Sequence, residues 1–78
     1  MKIRYLVGFA YRTPKGYLKT RYCQFHRVSW VKEAADAHPY TKQYSEILKN
    51  KINKELEHYP NKWAFSVPVG LIEGVEYN

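Results

Sequence analysis

Cys23 and His26 stand three positions apart, the spacing of half a zinc site, and His38 and His58 follow further along the chain. Thiolate and imidazole are ligands that zinc favours, and the same two groups can act as nucleophile and base. Either chemistry needs both side chains on one side of the backbone. The surrounding stretch "YRTPKGYLKTRYCQFHR", Tyr11 to Arg27, reads as two strands about a turn. In a strand, positions three apart point to opposite faces. The sequence therefore predicts a buried thiol and a surface imidazole, with no metal site.

The carboxylates Glu33, Asp36, Glu46, Glu55, Glu57, Glu73 and Glu76 form no spaced acid–base pair. Glu46, with Lys49 and Asn50 nearby, reads as solvated helix surface. The sequence holds no phosphate-binding glycine loop, dinucleotide fingerprint or nucleophile elbow. A chain of 78 residues also leaves little material for a deep pocket with a supporting shell. No catalytic residue and no cofactor are assigned, and the expected protein is not an enzyme.

Binding through a surface is what remains. Thirteen Lys and Arg against seven Asp and Glu give a net charge of +6, and the chain carries eight Tyr and two Trp. A basic, ring-rich surface favours acidic partners, because cations neutralise phosphates or carboxylates while rings stack or anchor. The candidate contact residues are Lys2, Arg4, Arg12, Lys19, Arg21 and Arg27, with Tyr17 and Phe25 among them. The expected partner is an acidic protein surface or a nucleoprotein complex. The alternative is DNA or RNA bound by the same face.

These residues have to be positioned by strands. From Ile3 to Tyr11 large apolar or aromatic residues fill the odd positions, the two-residue period of a strand. "TPKG" is a turn signal, with Pro14 presetting its first position and Gly16 able to take the left-handed conformation. A second strand is expected over Tyr17–Val28. Ser29 can cap a helix over "WVKEAADAH", which Pro39 would end. A longer helix is expected from Thr41 to His58, with Tyr44, Ile47, Leu48, Ile52, Leu56 and Tyr59 on one stripe. The rings of Trp30, Tyr44, Tyr59 and Trp63 are assigned to the core. "WAFSVPVGLIEGVEYN" alternates again, and Pro68 makes it an edge strand or a broken one.

The hairpin register decides which side chains share a face. A three-residue loop, Pro14 to Gly16, pairs Thr13 with Tyr17 and Val7 with Cys23, and turn chemistry favours it because Thr13 precedes proline. A four-residue loop pairs Arg12 with Tyr17 and gathers the basic residues on one face. A bulge in the second strand could reconcile the two. We take the segregated register. The expected fold is a single α+β domain over residues 1–78, in the order β-β-α-α-β. Its three-stranded antiparallel sheet runs 2-1-3, with the helices on one face and the other face bare.

A lone cysteine permits no internal disulfide and suits a reducing compartment. The N-terminal "MKIRYLVGFAYR" lacks the uninterrupted apolar run of a secretion signal, and no stretch is long enough to span a membrane. A cytoplasmic protein is the expectation, with no membrane partner.

In size, in strand-strand-helix-strand order and in ending on "FSVPVGLIEGVEYN", the chain resembles small phage-encoded accessory proteins. That group includes host-takeover and anti-defence factors, anti-CRISPR proteins among them. The resemblance is architectural and carries over no functional residue. It implies an inhibitor that binds a host protein or complex. Many of those proteins are acidic mimics of DNA, which a basic chain does not match.

Overall fold

The computed structural model describes residues 2–24 and 29–71. Strands β1 (Lys2–Arg12), β2 (Leu18–Gln24), β3 (Ser29–Val31) and β4 (Lys62–Leu71) form one antiparallel sheet in the order β3-β2-β1-β4. One helix, α1 (Lys42–Glu55), packs on β1 and β4.

The β1–β2 turn takes the three-residue loop. Thr13 N donates to Tyr17 O at 2.8 Å, Gly16 N donates to Thr13 O at 2.9 Å, and Tyr17 N donates to Thr13 Oγ1 at 3.1 Å. Gly16 has φ +89°, which a residue without Cβ adopts without strain. Arg12 consequently pairs with Leu18 and Gly8 with Tyr22, not the four-residue register that gathers the charges. Backbone geometry wins because Pro14 holds Thr13 extended, whereas the sorting of solvated charges between two faces contributes little.

The β1–β2 ladder ends at Gly8 and Tyr22. Beyond it the Cys23 carbonyl accepts from His38 N at 3.2 Å. Tyr5 and Tyr40 then exchange both backbone hydrogen bonds at 2.8 Å. The chain around Tyr40 thus fills the place that β2 vacates. Residues 25–28 lie outside the described part, so the end of the second strand expected at Val28 does too.

The helix expected from Ser29 does not form. Ser29–Val31 is a third strand paired with β2, and Ala34–Asp36 makes a single 3-10 turn. Ser29 Oγ donates to Gln24 Oε1 at 2.9 Å, so it ties two strands together and caps nothing. Trp30 and Val31 are strand formers, and the Trp30 ring meets Phe9 edge-on at 4.7 Å. Gln24 Nε2 donates to the Asp36 carbonyl at 3.0 Å and closes the loop. The three-stranded 2-1-3 sheet with two helices is therefore corrected to four strands and one helix, β-β-β-α-β. As expected, the last strand lies antiparallel beside the first and occupies an edge.

Thr41 caps α1, its hydroxyl accepting from Tyr44 N at 3.2 Å. The helix buries Ser45, Leu48 and Ile52, with Tyr44 and Leu56 packed beside them. Ile47, assigned to that stripe from the sequence, is instead 58% exposed. The core joins Leu48 and Ile52 to Val7, Cys23, Tyr40 and Ala64. Each large side chain there contributes roughly 1.5–3 kcal/mol by leaving water. Glu46 ties the helix to β4, accepting from Ser66 Oγ at 3.2 Å and from Lys49 Nζ at 2.7 Å.

The outer edge of β4 is blunted. Arg12 N donates to Asn61 O, so even positions of β1 bond toward β4. With Arg4 opposite Val69 and Ala10 opposite Trp63, odd positions of β4 then bond inward and even positions outward. Of the outward amides, that of Ala64 donates to Asn53 Oδ1 on α1 at 2.7 Å, and Pro68 has none.

Candidate functional site

Strand alternation sorts the sheet into two surfaces. Val7 and Cys23 mark the helix side, so Phe9 and Tyr11 of β1, Lys19 and Arg21 of β2, Trp30 of β3 and Lys62 of β4 share that side. The opposite, open side carries Arg4, Leu6, Gly8, Ala10 and Arg12 from β1. It also carries Leu18, Thr20 and Tyr22 from β2, Val31 from β3, and Trp63, Phe65, Val67 and Val69 from β4.

On the open side small residues of the central strand lie between large ones. Val31, Tyr22, Gly8 and Phe65 form one row across the four strands. The Tyr22 and Phe65 rings meet edge-to-face over Gly8, with centroids 5.8 Å apart. A Cβ on Gly8 would stand 2.4 Å from the Arg21 carbonyl oxygen and 2.9 Å from Phe65 Cζ, so only glycine fits beneath the rings. Ala10 pairs with Trp63 in the next row and is itself buried. Trp63 stays 40% exposed, and Leu18 and Val67 elsewhere on the same face are exposed as well. At the other end of this face Leu6, Val69 and Gly70 line a recess of about 220 Å³, closed off by Ala34, Ala35, Ala37 and Pro39. The result is an apolar, aromatic surface with one apolar recess, and Arg4 and Arg12 as its described cations.

The helix side is only partly covered. Beyond the helix the rings of Trp30, Phe9 and Tyr11 run in series, 4.7 Å and then 5.9 Å between centroids. The Arg21 guanidinium lies 5.8 Å from the Tyr11 centroid. Lys19 and Lys62 are the register partners of Tyr11 on its two sides.

The basic residues singled out in the sequence are therefore divided. Arg4 and Arg12 lie on the open side, Lys19 and Arg21 on the helix side, so one basic face uniting them does not exist. Tyr17 sits at the turn and is exposed. Phe25 and Arg27 fall outside the described residues, as does the side chain of Lys2, and His26 falls outside them too. Cys23 is fully buried, as expected, with Sγ 3.5 Å from Tyr40 Oη. Trp30, Tyr59 and Trp63 are exposed, not core rings. The sequence reading missed the open-side role of Tyr22, Trp63, Phe65 and Val67. The available signal was size: Gly8 and Ala10 in a central strand leave room that flanking aromatics fill.

Glu46 has its carboxyl pKa held below the ordinary value, chiefly by the hydrogen bond from Lys49, then by that cation's charge and by Ser66. It braces the fold and lies on neither surface. Among the described residues no three His, Cys, Asp or Glu side chains group as a metal site. No described helix is long and apolar enough to cross a membrane. No family model matches this chain, and no curated protein or solved structure matches it either.

Proposed function

We propose that this chain is a small binding protein whose open sheet face docks on an apolar, carboxylate-rimmed surface of another protein. The observation that carries the reading is the open-side surface of exposed Leu18, Trp63 and Val67 with half-buried Tyr22 and Phe65, which no described residue covers and which Arg4 and Arg12 flank. Exposed apolar residues rimmed by polar ones mark interaction sites, and Trp, Tyr and Arg are the favoured anchors. The recess beside Leu6 and Val69 suits one apolar side chain of the partner.

A second copy of the chain is the poorer fit. All charged residues of the four strands are cationic: Lys2, Arg4, Arg12, Lys19, Arg21 and Lys62. The strands of another open face offer no carboxylate to Arg4 and Arg12, and two chains of +6 repel each other. The resemblance to phage accessory factors would make the partner a host protein or nucleoprotein complex and the docking an inhibition. The surface chemistry supports the reading with or without that origin.

A photo-crosslinking residue at Val67, compared with one at Ile47 on the outer face of α1, tests it in cells. One protein should be recovered from position 67 and not from position 47, and Trp63→Ala should weaken its binding by roughly 30-fold, the scale of a hot spot of about 2 kcal/mol. Equal recovery from both positions, or a homodimer that seals the open face in sedimentation equilibrium, would refute it.

A further inference from the structure

The helix side of the hairpin presents a second surface, of different chemistry. Three rings stand in series there, Trp30, Phe9 and Tyr11, and Trp30 is 37% exposed at the end of the series. Cations border them: Arg21 lies over Tyr11, Lys19 is the register partner of Tyr11 on β2, and Lys62 is its partner on β4, with the Lys62 ammonium 4.9 Å from the Tyr59 centroid. The open side has apolar bulk with peripheral arginines. This side has rings and cations interleaved, and no strand contributes a carboxylate to either.

From this juxtaposition we infer a binding site for single-stranded nucleic acid. Phosphates would lie against Lys19, Arg21 and Lys62, and an unpaired base would stack on the Trp30 ring. Aromatic stacking accepts any base, and a short cationic border follows a backbone without reading sequence, so the site binds with little sequence preference. A duplex keeps its bases stacked on one another and cannot use the Trp30 face. The acidic segment of a protein would satisfy the cations and leave the ring unused. The site shares no residue with the open face, so the two surfaces stand or fall separately.

Fluorescence anisotropy of a labelled oligothymidylate, with the intact chain, is the test. About three phosphate contacts give a slope near −2 in log K against log salt. Affinity should therefore fall roughly 20-fold between about 50 and 200 mM salt. Arg21→Ala should weaken binding and flatten that slope by about 0.7, the share of one contact to a single strand. Trp30→Ala should cost about ten-fold, the loss of one stacked base, while Lys51→Ala on the exposed side of α1 changes affinity less than about two-fold. Should Trp30→Ala fold poorly, the Trp63→Phe chain leaves Trp30 as the single indole, and its emission should be quenched by the oligonucleotide. The inference is overturned by salt-independent binding or by no binding at low salt. It is also overturned by an unquenched Trp30, by an equal loss in Lys51→Ala, or by polyglutamate competing as well as the oligonucleotide.

Discussion

Gly8 shows how one residue sets the character of a surface. It sits in the middle of the central strand, and the missing Cβ lets Tyr22 and Phe65 close over it. A methyl group there meets the Arg21 carbonyl, a backbone atom that cannot swing aside as a side-chain tip can. Gly8→Ala should destabilise the fold by about 1–3 kcal/mol in chemical denaturation, the cost of overpacking. An unchanged midpoint would mean that the rings are not held where the structure has them. Glu46 works differently. Its carboxyl pKa is held below the ordinary carboxylate value in the folded chain, first through the hydrogen bond from Lys49. Ionisation therefore favours the folded state, fully above the unfolded value and progressively less as pH falls through the folded one. The stability difference between wild type and Glu46→Gln should shrink on acidification from neutral pH to below about 4. A difference independent of pH would assign the contact to packing.

At the scale of elements, β4 is a long edge strand that does not invite pairing. Asn53 on the helix occupies the Ala64 amide and Pro68 withholds another, two protections that natural sheets use against edge-to-edge association. Asn53→Ala with Pro68→Val should free both amides and give concentration-dependent self-association in sedimentation velocity, where wild type stays monomeric. Absence of self-association in the double variant would show that α1 alone guards the edge. Pro68 made the edge legible in the sequence, because proline cannot serve a central ladder. Asn53 was not legible, since nothing in a helix pattern says that one polar side chain will reach a strand amide eleven residues later. The failed helix at Ser29 has a similar cause. Glu33 and the alanines of "WVKEAADAH" favour helix locally, but Trp30 gains more from packing on Phe9 across β2, a contact that no local propensity encodes.

For the molecule as a whole, strand alternation and turn residues gave the hairpin and the antiparallel position of the last strand, but not the number of strands or helices. The allocation of charges to faces went astray for one reason. Weighing charge segregation above the constraint of Thr13 before Pro14 shifts the register by one residue, and such a shift exchanges every side chain of β2 between faces. The composition-level expectation of an adhesive surface rich in Tyr, Trp and Arg rests on residue types and does not depend on register. The separation of that surface into an apolar side and a cationic side depends on register entirely.

The seam where Tyr40 replaces β2 has a practical corollary. It leaves Cys23 with no surface open to solvent, walled in by Val7, Tyr40 and the helix. A cysteine introduced at position 63 or at position 30 would therefore be the reactive sulfur of the folded chain, and maleimide dyes could decorate either flank selectively without first removing the native thiol.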